Sequence, residues 1–522
     1  MNDRNLILVG GGILLLLLWF MVDPKFLLKR SPAPATETNS FSGQSGPPKG
    51  PLASPGKEAP GQALVTLVEP DLETGSGKEV PGEKIVRFAT REGFRRFLAT
   101  APPGVVWGQL EALNAVRVKS GSWLAAAAQE NGGTVSGNFY VRVPEVPLEV
   151  REKGDSMYRA VGKKALDLIG AESVTSSWGR GVTVALMDTP LEGMETKEGE
   201  TAGHGTAMRS LIVGNEGAAR GAAPGVKILG FPVLGADGKG NSFALAEAIV
   251  RAVDQGAKVV NMSLGSDGDS PLVRDAVQYA TARKVALVAA AGNDGVNRVS
   301  YPAAYDGVLA VASVDAGDNH LYFSNRGKAV DLAAPGFAVV AAWPGGKNVE
   351  VSGTSASTAL VTGAVAALLS QEPGLTGQQA AEFLVKYAND SGLPGAKEET
   401  GNGVINLQRT MERNQRGIVD LAVGGVTLKE EGSVGRILVG MQNRGTETVN
   451  SPSLEITAGG ERRKFFFGSL APGQTASQSM TFDLFRARQE GGIAAGAAVE
   501  VRGDQRNGND LWSGYFRISK EK

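Results

Sequence analysis

Cysteine is absent from the chain, which excludes thiolate nucleophiles, cysteine-ligated metals and a disulfide framework. An oxidising compartment stays open, because a chain of 522 residues buries enough apolar surface to stand without covalent staples. Histidine is nearly absent: His204 and His320 are the two present. Imidazole chemistry must use one of them, and a multi-histidine metal site is excluded in practice. An excess of charge is missing as well. A formal net charge of -1 gives no electrostatic reason to expect a nucleic-acid partner, and no long-period internal repeat is visible.

What is present is ordinary globular composition, 42% hydrophobic and 20% charged, over a length that calls for two to four domains. The N-terminus departs from it. From Asn5 to Val22 the run NLILVGGGILLLLLWFMV carries no charge, and as a helix it would span about 27 Å, close to the ~30 Å of a bilayer core. It leads straight into Asp23, Pro24 and Lys25 without a small-residue cleavage pattern, so an uncleaved anchor is expected over a signal peptide. Lys25, Lys29 and Arg30 tilt the charge count toward an inside placement. The long linker and secretory layout nevertheless favour placing the downstream domains outside, at the cell envelope.

Residues 31–62 are rich in Pro, Gly and Ser and read as a semi-extended tether reaching about 100 Å. Residues 63–147 alternate strand and helix patterns in the order β-α-β-α-β, with a break near Leu113, as a small α+β domain. From 155 to 413 short apolar runs such as VTVALMD, KVVNMSLG and ALVAAAGN alternate with helical patterns. This predicts a doubly wound α/β domain with a parallel sheet, its ligands at the carboxyl ends of the strands. From 418 to 522 about seven short strands separated by turn signals predict an all-β sandwich.

Three segments of the α/β region carry candidate chemistry. Asp188 ends the strand VTVALMD, where such folds place function, although a lone carboxylate there serves equally as a turn or helix cap. His204 opens a helical pattern between two glycines and is open to neighbours, although lone histidines are more often structural. His320, in DAGDNHLYF, reads as a surface turn. Ser355 follows Gly353-Thr354 at the start of a small-residue helix, whose free N–H groups suit an oxyanion, although a plain N-cap reads the same way.

Taken together, Asp188, His204 and Ser355 run in the chain order of subtilisin. The surrounding blocks HGTAMRSLIVG, GAAPGVKILGFPVLGADGKG, VVNMSLGS, VALVAAAGNDG, DLAAPG and SGTSAS resemble the subtilisin-like serine protease family over most of residues 155–390. The resemblance implies Ser355 as nucleophile, His204 as general base and acid, Asp188 as its orienting carboxylate, and Asn293 with the Ser355 N–H as oxyanion donors. It implies that Gly238-Lys239-Gly240 and Ser263-Leu264-Gly265 are the two edges between which a polypeptide substrate lies as an added strand. Pro190 stands where the family usually has glycine, Ala356-Ser357-Thr358-Ala359-Leu360 replaces the usual run, and Met208 and Arg209 are unusual. Pro190 puts the position of the Asp188 turn in question.

Residues 63–147 resemble the family's propeptides, which cap the active site, with a permanent accessory domain as the alternative. A propeptide implies autocleavage near Val146–Gly154. The C-terminal sandwich resembles CARDB domains, implying a spacer or a protein- or surface-binding module. No cofactor is expected, although GDQRNGND near the C-terminus is compatible with structural calcium as well as with a hairpin loop. The leading expectation is a membrane-anchored serine endopeptidase. The rival is an inactive anchored adhesion or scaffolding protein acting through its sandwich.

Overall fold

The computed structural model describes residues 78–153, 158–194, 203–216, 219–235, 237–393 and 397–519, and the two-residue strands Leu8–Val9 and Ala63–Leu64. Its centre is a parallel six-stranded sheet in the order 227–232, 183–188, 259–262, 286–290, 308–314, 332–335. Apart from the edge strand 227–232, which is mostly part-exposed, the strands are almost wholly buried on both faces, which is why they read as continuous apolar runs and not as alternating ones. The sixth strand, Leu332–Pro335, is too short to announce itself in the sequence and comes from DLAAPG, grouped above with the serine block.

Helices cover both faces, as a doubly wound sheet requires. Gly203–Val213 and Thr354–Gln371 pack on one side with Leu186, Val288 and Val311. Ser242–Asp254 and Pro271–Thr281 pack on the other with Met187, Val260 and Leu287. Asn241 and Ser270 start the latter two helices by accepting from Ala244 N and Val273 N, which satisfies N–H groups that a helix end leaves free. The order of strands reverses beside 183–188, the position at which this architecture opens a crevice at the carboxyl edge.

The N-terminal domain is a sheet in the order 133–142, 79–88, 115–119, 106–110, with helices Arg91–Thr100 and Leu124–Glu130 packed through Phe94, Phe97 and Leu124. The break expected near Leu113 is a 3-10 turn at Glu111–Leu113 that divides the run into two strands, 106–110 and 115–119, so the order becomes β-α-β-β-α-β. This domain is seated on the α/β domain. Asn138 is fully buried and its Oδ1 accepts from Ser242 Oγ at 2.9 Å and from Phe243 N at 3.0 Å. Arg87 also meets Asp275 at 2.5 Å.

The C-terminal region is a sandwich. Strands 421–431, 434–443 and 475–483 form one sheet, and 511–517, 492–500, 453–458 and 461–466 the other, with Leu8–Val9 on its edge. Leu454, Ile456, Ile437 and Val439 meet between them. A helix, Leu484–Glu490, interrupts what the sequence suggested was a longer strand: Asp483 accepts from Arg486 N and caps it, and Gly491, at φ 79°, ends it. The sandwich is bound to the α/β domain by Arg506, which bridges Glu412 of the Leu407–Glu412 helix and the buried Asp420.

Apart from Leu8–Val9, the expected anchor lies outside the described residues, as does the tether. Among the described residues no helix is long and apolar enough to cross a membrane. In the GDQRNGND loop, Asp504 accepts from Leu421 N and Arg506 N, and among the described residues no group of three or more His, Asp or Glu is arranged to hold a metal.

Two predictions follow from these contacts. Arg506→Ala leaves Asp420 buried with only Asn509 to donate to it, and is expected to cost about 2 kcal/mol. The check is a lower denaturant midpoint for unfolding of the sandwich. The second concerns His320, whose Nε2 is buried without a partner; burial, with Arg326 beside it, pushes its pKa down to about 4. The folded state keeps this ring neutral while the unfolded chain takes up a proton near the ordinary value of about 6.5, so stability is lost as pH falls between those values. His320→Gln should flatten that part of the stability–pH curve, measured by thermal denaturation from pH 7 to 4.

Candidate active site

Asp188 is the last residue of its strand and is fully buried. Its Oδ1 accepts from Thr189 N at 2.7 Å and lies 2.7 Å from His204 Nδ1. His204, on the first turn of the Gly203–Val213 helix, is 8% exposed. The two elements are fastened beside that contact, because Gly205 N donates to Thr189 Oγ1 at 2.9 Å. A side chain at Gly205 would strike the Thr189 carbonyl, so the glycine after the histidine is required by close approach. Pro190 does not disturb the arrangement: the bond between Asp188 and His204 keeps ordinary length with the proline in place. Arg209 faces out and Met208 is buried in the core, so neither reaches the histidine's polar edge.

Ser355 is the second residue of the Thr354–Gln371 helix, 4% exposed. The turn into that helix needs Gly353, whose φ is 124°, and a side chain there would meet Asn293 Nδ2 at 2.7 Å. Asn293 is fixed from behind, its Oδ1 accepting from Thr354 N at 3.0 Å and Thr354 Oγ1 at 2.9 Å. Its amide nitrogen is thereby aimed toward the cleft.

A polar chain that the sequence did not reveal holds the serine's own helix. Thr362 Oγ1 donates to Asn261 Oδ1, Asn261 Nδ2 to Ser263 Oγ, and Ser263 Oγ to the carbonyl of Ser355, at 2.9, 3.0 and 3.0 Å. All four residues are buried, so each partner lost would leave a dry polar atom. The unusual run after Ser355 is accommodated in the same way. Ser357 Oγ lies 2.6 Å from Ser313 Oγ and donates to the Ala334 carbonyl, while Thr358 Oγ1 bonds to the Thr354 carbonyl.

The cleft is occupied by the chain itself. Lys239–Asn241 pairs antiparallel with Arg142, Val141 and Tyr140, and Val143 N donates to the Gly238 carbonyl at 3.1 Å. On the other side Arg142 and Gly265 exchange both backbone hydrogen bonds, at 2.9 and 2.8 Å. The end of the N-terminal domain therefore lies as a strand between the segments 238–240 and 263–265. It brings the carbonyl oxygen of Pro144 to Asn293 Nδ2, at 2.9 Å. The bond presented is Pro144–Glu145, ahead of the stretch Val146–Gly154 in which a cut was expected. The register of the strand decides this. Ser355 Oγ meanwhile donates to the Ser263 carbonyl, at 3.3 Å. Past the cleft, Val146 and Val150 are buried with Leu321, Phe323 and Phe337.

Known proteins of similar sequence place the chain in a family. The model of the subtilase family, Peptidase_S8, matches residues 179–403. Subtilisin BL of Lederbergia lenta is 34% identical over 246 residues, which is 44% of this chain and 90% of that protein. Subtilisin DY of Bacillus licheniformis is 35% identical over 212 residues, 40% of this chain and 76% of that protein. Among solved structures, the patellamide maturation protease PatA aligns at 29% identity, covering 45% of this chain and 97% of that one, with a TM-score of 0.41. The chain belongs to the subtilase family of subtilisin-like serine proteases.

Proposed function

We propose that the chain is a serine endopeptidase in which Asp188, His204 and Ser355 act as the triad and Asn293 as an oxyanion donor. The observation that carries this reading is a peptide carbonyl, that of Pro144, resting on Asn293 Nδ2 in a cleft whose histidine is held by a buried carboxylate. In the reaction, Ser355 Oγ attacks the carbonyl carbon of a peptide and His204 Nε2 takes its proton. Asp188 holds the ring through Nδ1 and stabilises the imidazolium. The oxygen that becomes negative is met by Asn293 Nδ2 and the Ser355 N–H. His204 then protonates the leaving nitrogen, the C–N bond breaks, and an ester on Ser355 remains. Water, deprotonated by His204, hydrolyses that ester to a carboxylate and restores the serine.

The segments 238–240 and 263–265 serve as the edges for an extended polypeptide, which binds by strand addition; the chain's own residues 140–143 are already bound in that manner. The N-terminal domain acts as a propeptide-like cap. The uncharged run Asn5–Val22 supports a tether at the cell envelope, and the CARDB-like sandwich serves as a spacer or binding module. The tight contact between Asp188 and His204 weighs against the rival reading as an inactive scaffold, which would have no need to keep it.

An irreversible fluorophosphonate probe tests the triad in the full chain, since it accumulates on the serine each time the cleft opens. Label on the wild type and none on Ser355→Ala is expected. For an oxyanion asparagine in a subtilisin the measured loss in turnover is already about 10²–10³, and a comparable slowing is expected of Asn293→Ala. A folded wild-type sample that takes no label after prolonged treatment would refute the proposal.

A further inference from the structure

The residue placed on Asn293 is a proline, and the register shows what it withholds. In an antiparallel ladder, hydrogen-bonded pairs recur every second residue. Arg142 and Gly265 form one such pair, so the next joins residue 144 to Ser263. An ordinary residue at 144 would give its N–H to the Ser263 carbonyl. Pro144 has none, and the carbonyl it leaves open is the one that takes the proton of Ser355 Oγ. A serine hydroxyl has a single proton to donate. While it points at Ser263 it is not directed at His204, and general-base removal of that proton cannot begin.

The second half of the device lies beyond the bond. Val146 and Val150 are buried among Leu321, Phe323, Phe337 and Ala338, and Pro147 O accepts from Val150 N at 3.0 Å. The residues after Glu145 are therefore fixed by packing independent of the cleft.

We propose that Pro144 makes residues 141–146 a self-resistant occupant of the cleft: the N-terminal domain inhibits while still joined, and activity follows its displacement, not a cut at 144–145. This rests on the proteolytic reading given above and adds to it a regulation and a specificity. The same register disfavours proline immediately before the cut bond in any polypeptide substrate, because each would leave the Ser263 carbonyl to the nucleophile. A substrate with an N–H there fills that acceptor and frees Ser355 for His204.

The test compares the full chain with Pro144→Ala, each with and without Ser355→Ala, by mass of the fragments and by fluorophosphonate labelling. The substitution restores an N–H at 144. Ser355 Oγ then attacks the residue-144 carbonyl, the Glu145 nitrogen leaves with the proton from His204, and water releases a new carboxylate at 144. The Pro144→Ala chain should be cut between 144 and 145 at least about tenfold faster than wild type, the difference that one hydrogen bond makes, and only with Ser355 present. Arg142→Pro, which removes the N–H given to Gly265, should instead raise the labelling rate by about tenfold by loosening the strand. A wild-type chain cut after Pro144 as fast as the variant would overturn the proposal. So would a Pro144→Ala chain that labels yet stays uncut. If no variant labels at all, the protease reading itself fails.

Discussion

The reciprocal hydrogen bonds between Arg142 and Gly265 set the register on which the remainder of the cleft depends. Shifting that pairing by one residue would turn every side chain of 140–144 to the opposite face and take the Pro144 carbonyl away from Asn293. The pairing is held from outside the cleft as well as within it. Asn138, four residues earlier, is locked to the start of the Ser242–Asp254 helix, and Val146 and Val150 are buried beyond. The strand is thus fixed at both ends with the Pro144–Glu145 bond between them. A free peptide would have to supply that order at its own entropic cost, whereas the tethered segment is already in place.

Beneath that strand the proposed catalytic groups are positioned by hydrogen bonds that never reach the surface. His204 is set by Asp188 on one side and by the bond from Gly205 to Thr189 on the other. Ser355 is set by a relay running from Thr362 through Asn261 and Ser263 to its carbonyl. Ser263 has two duties in this scheme: its hydroxyl steadies the helix of Ser355, and its carbonyl receives either a substrate N–H or the nucleophile's proton. Such buried networks are costly when incomplete and rigid when satisfied. Rigidity of this kind suits a site that must hold its donors where charge will develop.

Much of this was legible in the sequence because it depends on short-range signals. Strands buried on both faces read as unbroken apolar runs, and the sequence blocks around 188, 204, 293 and 355 stand in the order of the family they resemble. Structure that depends on register or on a single capping residue was less visible. The strand Leu332–Pro335 lies in a short run closed by a proline, and Asp483 caps a helix directly after a strand. The occupied bond could not be read from residues 144–154 alone, since the pairing of Arg142 with a residue more than a hundred positions away determines it. The polar relay was hidden for a similar reason: Thr362, Asn261 and Ser263 are unremarkable singly and meet only when the sheet and the helix pack together.

Hydrogen exchange of the full wild-type chain, followed for the backbone amides of residues 140–146 and 263–265, addresses the occupied cleft most directly. The account predicts that the amides of Arg142, Val143 and Gly265 are protected to the same degree as those of the central strand 183–188, because all three are held in strand pairing between packed domains. Exchange of Arg142 and Val143 at the rate of an unstructured linker, with the central strand still protected, would contradict it: the N-terminal domain would then be joined to the enzyme without lying in its cleft.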